Sequence, residues 1–371
     1  MAKNLTRRWS AVALCALTAL ALSACSEDTG SSPAPTGGET AKYQKIAEEA
    51  MKPVTEFTGP TEGPAAQKGK KIVFLACGFE AEGCNLPGKA AAAAGKALGW
   101  DVKVVDGKFD PRIYSRTIQQ AIDDGADGVI LDAVSASSVA GQVKAAREAG
   151  LVVGSYDSFN PVSETGTSYD VNADLDGQGE AMAAYMIWKS DGAANAYILN
   201  APEFQAPAQW IKKSKEVIEA CDSCELLGFQ DFTAGDAATR LPQLTVTAAR
   251  QHPDMNVMIA AYDAAMLASI PSMDQAGLLD QVKVGTFNGV SPALDLIRKG
   301  QLTASVGGAM EWGVWAAMDN MNRMLAGEEA VEQNVPIRLI TAENIDTIEP
   351  GGPWTGDIDY TAAYKKIWNA K

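Results

Sequence analysis

The chain has 371 residues, of which 47% are apolar, enough for about two globular domains. Its 31 basic and 46 acidic side chains leave a net charge of −15, which repels phosphate backbones and excludes nucleic acid as a partner. A single histidine excludes His-rich metal sites and most histidine acid–base chemistry, so neither metal nor cofactor is expected.

The first 25 residues set the compartment of the six cysteines. Lys3, Arg7 and Arg8 form a basic start, and an apolar run follows from Trp9 to Leu22. At about 14 residues it is too short to span a bilayer and has the length of a signal-peptide core. Leu22-Ser23-Ala24-Cys25 then resembles the lipobox of bacterial lipoproteins. The resemblance implies cleavage of residues 1–24, lipidation of Cys25 and a body anchored on the outer face of the cell membrane. Residues 25–69 read as a lipid-anchored linker, rich in Ser, Pro and Gly, with a short helix over 43–51. No later segment is apolar enough to cross a bilayer.

From Lys70 onward, short apolar runs alternate with helical patterns. Strands are expected over 72–77, 101–105, 128–131 and 151–155, with helices over 87–98, 111–124 and 137–149 between them. The rhythm restarts with helix 177–189, strand 194–199, helix 209–220, strand 226–230, helix 237–250 and strand 257–260. Helix 264–276, strand 282–286, helix 292–299, strand 303–306 and helix 311–325 complete it. Buried strands alternating with helices imply parallel sheets covered on both faces. The number of units predicts an α/β fold of two doubly wound, Rossmann-like lobes.

Ligands of such sheets sit beyond the carboxyl ends of the strands. The residues there are Phe79, Glu80 and Glu82, then Asp132, then Tyr156 and Asp157. In the second half they are Asn200, Phe232, Tyr262, Asp263, Phe287 and Asn288. Aromatic planes mixed with short polar acceptors suit a polyhydroxylated ring, although a strand-end Asp or Asn also caps helices.

Several segments in order resemble the type I periplasmic sugar-binding proteins of the ribose-binding group. They are Lys71 to Gly78, Gly99-Trp100-Asp101-Val102, Ala126-Asp127-Gly128-Val129-Ile130 and Gly150-Leu151-Val152-Val153. Tyr262-Asp263-Ala264-Ala265-Met266, Val284 to Gly289 and Gly300 to Ser305 continue the series. The resemblance implies two lobes joined by a three-strand hinge, with crossings near Asn172, Gly307 and Leu339. It places residues 70–171 and 309–338 in the first lobe, 172–308 and 339–350 in the second, and 351–371 as a tail packed on the body. It also implies a monomer that closes on a small ligand and docks on an ABC permease. By resemblance Asp157 accepts ring hydroxyls and Phe232 stacks, while Asn288 and Asp132 stand where the family often has Asp and Asn. From the strand-end pattern Asp263 and Asn288 are expected to orient hydroxyls beside Asp157, and Phe79, Tyr156, Trp210, Tyr262 and Trp312 to wall the pocket. Glu80, Glu82, Asp132 and Asn172 complete the candidate site. Ser158 stands where ribose binders carry Arg, the Arg expected near Trp210 is absent, and Gly308 replaces an amide side chain. Ribose is therefore not the expected ligand.

The expected function is thus a substrate-binding lipoprotein of an ABC importer, taking a sugar or sugar-like molecule without chemistry. A polyol, nucleoside, autoinducer or aromatic ligand, a signalling receptor subunit and an exported glycosidase stand as alternatives. In an oxidising compartment, paired thiols are expected as Cys77–Cys84 and Cys221–Cys224. The Cys221-x-x-Cys224 pair follows a helix rather than starting one, which suits a structural turn and not redox chemistry. Asp174 and Asp176 resemble the start of a calcium loop, but Ala183 holds the twelfth position, so hinge and N-cap roles are expected.

Overall fold

The computed structural model describes residues 37–370; the leader and Cys25 lie outside the described residues. The chain opens with α1 (Gly37–Ala50) and then builds β1 (Lys71–Ala76), α2 (Glu82–Leu98), β2 (Asp101–Asp106), α3 (Pro111–Asp123) and β3 (Gly128–Asp132). Next come α4 (Ala140–Glu148), β4 (Val152–Tyr156) and the short β5 (Tyr169–Val171). These five strands are parallel, in the order β2-β1-β3-β4-β5.

The second half contributes α5 (Leu175–Lys189), β6 (Asn195–Asn200), α6 (Gln205–Glu219), β7 (Glu225–Asp231), α7 (Leu241–Gln251) and β8 (Val257–Ala260). It continues through α8 (Asp263–Leu267), α9 (Ile270–Gln275), β9 (Lys283–Asn288), α10 (Ser291–Arg298) and β10 (Ala304–Gly307). Last are α11 (Met310–Leu325), β11 (Arg338–Thr341) and α12 (Tyr360–Ile367). The second sheet runs β11-β10-β9-β8-β6-β7, parallel except for β11 on β10. Central strands β3, β8 and β10 are buried at every position, whereas the edge strands β2 and β7 stay half-exposed. That is the pattern of helix-covered parallel sheets.

Helix starts carry recognisable caps. Asp110 accepts from Arg112 N at 2.8 Å for α3, and Asp174 accepts from Gly177 N at 2.9 Å for α5. Asp176 accepts from Gln209 Nε2 at 2.6 Å, so both acidic residues of the calcium-like stretch are occupied within the protein. Two helices begin earlier than expected: α2 at Glu82, with Pro87 inside it, and α6 at Gln205, with Pro207 in its first turn. The expected helix over 264–276 is two short helices, because Pro271 takes the opening turn of α9.

The largest departure lies before β1. Tyr43 and Ala47, one turn apart on α1, are fully buried, and α1 packs against α5 and β11 of the second sheet. Residues 37–50 are therefore part of the body and not a free tether. The chain then runs back to the first sheet's side, where Gln67 N donates to Asn322 Oδ1 of α11 at 2.9 Å.

The chain passes between the sheets after β5, after β10 and before β11. The first and third passages touch through a bridge of Ala173 with Val335. Gly308, at the second, lies against Ala173 and Gln178. The C-terminal segment adds another passage. Trp354 N donates to Gly289 O at 3.0 Å beside the second sheet, and α12 then packs on α11 beside the first.

Candidate functional site

The carboxyl ends of the two sheets face each other across a narrow cleft with about 520 Å³ of empty space, part of it open to solvent. Its first wall begins at Cys77, which follows β1 and is joined by a disulfide to Cys84 in the first turn of α2. The carbonyl of Cys77 accepts from Phe109 N at 2.8 Å and from the Tyr114 hydroxyl at 2.9 Å. Asp106, at the end of β2, accepts from Phe79 N and Lys108 N, each at 3.0 Å. These bonds seat the Phe109 ring on Gly78, where a Cβ would come within 2.6 Å of it.

From the second lobe, Phe204 meets Phe109 edge-on at 6.1 Å and Tyr262 edge-on at 5.9 Å. Tyr262 in turn lies 5.6 Å from the buried Phe232. The aromatic wall is therefore continuous across both lobes. Glu82 accepts from Ser291 Oγ at 2.7 Å, and Gln205 Nε2 donates to Ser135 Oγ at 2.6 Å. These two bonds cross from one lobe to the other.

Phe109, Ala133, Asp157 and Asn288 line the cleft with positive φ, at 52°, 50°, 49° and 112°. Left-handed backbone is uncommon for non-glycine residues, and such strain concentrates at ligand sites. Asp157 is held by its own N–H, which donates to Val171 O at 2.9 Å. Burial pushes its carboxyl up to about 7, and the charge of Asp170 adds to the shift. Tyr262 is likewise raised by burial and by Glu203.

The structure separates the candidate residues. Asp157, Tyr262 and Asn288 line the cleft. Phe232 backs its aromatic wall, and Glu82 bridges the lobes above it. Asp132 lies buried beneath the floor, with neither carboxylate oxygen bonded. Tyr156 is buried against Gly313 of α11.

The rest stand elsewhere. Asp263 is buried, and its carboxylate accepts from Thr286 Oγ1, from Ser305 Oγ at 2.8 Å and from Val290 N at 2.9 Å. These bonds tie β8, β9 and β10 together, and Asp263 is not among the residues that line the cleft. Burial still raises its carboxyl to about 6 against the pull of those donors. Trp210 is core: its ring stacks on Phe287 at 5.2 Å and its Nε1 donates to Ala261 O at 2.8 Å. Trp312 stacks between Phe57 and Tyr360 at 5.5 and 5.3 Å, behind the first lobe. Phe79 leans toward Gly88 of α2, Glu80 points into solvent, and Asn172 accepts from Phe159 N at 3.2 Å at the first passage.

Phe109 and Phe204 were not among the expected residues. Each lies three or four positions past a strand end, so reading a little beyond β2 and β6 would have found them. Among the described residues no lysine or arginine lines the cleft; Lys212 pairs with Glu216 on the outside of α6. Cys221 and Cys224 form the second disulfide, at the turn between α6 and β7. Among the described residues no group of three or more His, Cys, Asp or Glu is placed to hold a metal, and no helix is long and apolar enough to cross a membrane.

Residues 72–329 match the family described as periplasmic binding protein domain. The D-apiose import binding protein of Paraburkholderia graminis is 25% identical over 218 residues, covering 58% of this chain and 68% of that protein. An ABC sugar transporter subunit from Rhodobacter sphaeroides superposes with a TM-score of 0.68 at 18% identity, over 75% of this chain and 99% of the other. A solute-binding protein from Agrobacterium vitis with bound allitol gives 0.68 at 19% identity, over 75% and 97%.

Proposed function

The chain belongs to the periplasmic binding protein domain family, and from that premise we propose that it is the substrate-binding subunit of an ABC importer. It captures one sugar or sugar-like molecule between its lobes and presents the closed form to a membrane permease. The first lobe comprises residues 70–171 and 309–338 and the second 172–308 and 339–350, with 351–371 packed as a tail. Cys25 carries a lipid that holds the body at the outer face of the cell membrane. The protein works as a monomer and leaves its ligand chemically unchanged.

The observation that carries this reading is the cleft itself. Asp157 and Asn288 offer hydrogen-bonding groups from opposite lobes, and Phe109, Phe204 and Tyr262 offer flat apolar faces between them. Such a set holds a ring by its hydroxyls and its face at once. The ligands named for two relatives, D-apiose and the open-chain polyol allitol, share the hydroxyl groups that such a site would bind.

A thermal-shift screen of pentoses, hexoses, polyols, cyclitols and nucleosides tests it. At a ligand concentration a hundredfold above Kd, binding to the folded state alone adds about 2.7 kcal/mol. The reading expects a clear rise in Tm for one stereochemical group of hydroxylated ligands and no product on prolonged incubation. No rise with any of them contradicts it.

A further inference from the structure

Asp132 is the most unusual residue near the cleft. It is 1% exposed, and neither of its oxygens has a hydrogen-bond partner. Buried carboxyl groups are almost always satisfied, because an unmet one carries the full loss of hydration. Asp132 ends β3, and its register partners are Ala76 and Tyr156. The residues that follow these three in sequence, Ala133, Cys77 and Asp157, all line the cleft. The unmet carboxyl therefore lies just under the cleft floor, where burial first and the nearby Asp157 second disfavour its charged form.

Among the described residues no cation offsets this pair. Ser158, next in sequence, turns its hydroxyl to the carbonyls of Tyr156 and Leu131 at 2.9 and 3.3 Å. No lysine or arginine lines the cleft. Glu311, which opens α11 at the second passage, adds negative charge near Glu82, with Lys89 as its offsetting cation. Low dielectric strengthens the demand that two such carboxyls place on any bound partner.

Building on the sugar-like reading above, we propose that the natural ligand carries a protonated amine among its hydroxyls: an amino sugar or an aminocyclitol. The ammonium donates to Asp157 at the cleft floor, with the unmet Asp132 carboxyl beneath it adding its attraction, and Phe109, Phe204 and Tyr262 face the remaining ring. Aromatic faces are compatible with that charge, since they attract cations as well as apolar carbon.

The test is titration calorimetry on matched sets. D-glucosamine, D-galactosamine and D-mannosamine are each compared with the parent hexose and the N-acetyl derivative, and streptamine is compared with myo-inositol. In the skeleton bound most tightly, the free amine is expected to bind about tenfold or more tighter than the neutral members. In Asp132→Asn that preference collapses to about twofold or less. Asp157→Asn gives the same readout if the first variant does not fold. Neutral members binding as tightly as the amine, or a preference that survives both substitutions, overturns the amine while leaving capture of a sugar-like ligand intact. An absence of heat with every compound overturns the amine proposal, while the pentoses, polyols and nucleosides of the thermal-shift screen still test capture of a sugar-like ligand.

Discussion

Asp157 and Asp263 are both aspartates at strand ends facing the cleft region, yet the structure gives them opposite work, and substitution separates the two roles. Asp263→Ala leaves Val290 N, Thr286 Oγ1 and Ser305 Oγ without their acceptor. Each stranded buried donor costs about 1–3 kcal/mol, and the two hydroxyls can rotate toward other acceptors, so the expected loss is about 3–6 kcal/mol. That is a large part of a typical stability of about 5–15 kcal/mol. At roughly 2 °C per kcal/mol for a chain of this size, Tm falls by about 6–12 °C. Asp157→Ala strands no donor, because its carboxylate accepts no hydrogen bond among the described residues, and it is expected to melt at or above the wild-type temperature. Urea denaturation followed by tryptophan fluorescence measures both. An Asp263→Ala protein with a wild-type midpoint, or one that keeps its stability but loses its ligand, refutes this division.

Stability should also depend on pH in a defined direction. Burial raises Asp157 to about 7 and Asp263 to about 6 from 3.8, so the folded chain holds protons that the unfolded chain releases. Their contribution is complete below about pH 4 and is lost as pH rises through 6 to 7, at up to about 1.4 kcal/mol per pH unit for each group. Asp157→Asn should flatten the slope seen in urea titrations between pH 4 and 7; an unchanged slope counts against the assignment. Replacing Cys77 and Cys84 together by serine opens a short loop, which costs about 2–3 kcal/mol by chain entropy. It also loosens the Cys77 carbonyl that holds Phe109, so ligand affinity falls along with the denaturation midpoint. Gly313→Ala puts a Cβ 2.4 Å from the Tyr156 ring. The clash outweighs the helix-propensity gain of up to about 1 kcal/mol, and a net loss of about 1–2 kcal/mol is expected in the same assay.

Much of the fold was legible in the sequence because buried parallel strands are written as uninterrupted runs such as Ile72 to Ala76 and Val257 to Ala260. Helix starts were harder, since prolines 87 and 207 sit inside helices that begin before them. That shift explains Trp210: with α6 beginning at Gln205, the indole falls on the face that packs against Phe287. Trp312 is buried by Phe57 and Tyr360, from segments far away in sequence, and no local pattern announces such partners. The same holds for the two aspartates. Whether a strand-end carboxylate faces a ligand depends on Thr286 and Ser305 of neighbouring strands, which only the sheet order brings together. Docking of α1 was invisible because its two buried residues, Tyr43 and Ala47, make too short a pattern to separate a packed helix from a tether.

The central claim is that one ligand is held between the two lobes with Asp157 as a direct contact. Titration calorimetry of the ligand found by the thermal-shift screen, on wild type and on Asp157→Ala, tests it most directly. The account predicts one site per chain in the wild type and an affinity lowered at least about thirtyfold in the variant, the loss of roughly 2 kcal/mol expected for a buried polar contact. Equal affinities in the two proteins would contradict it.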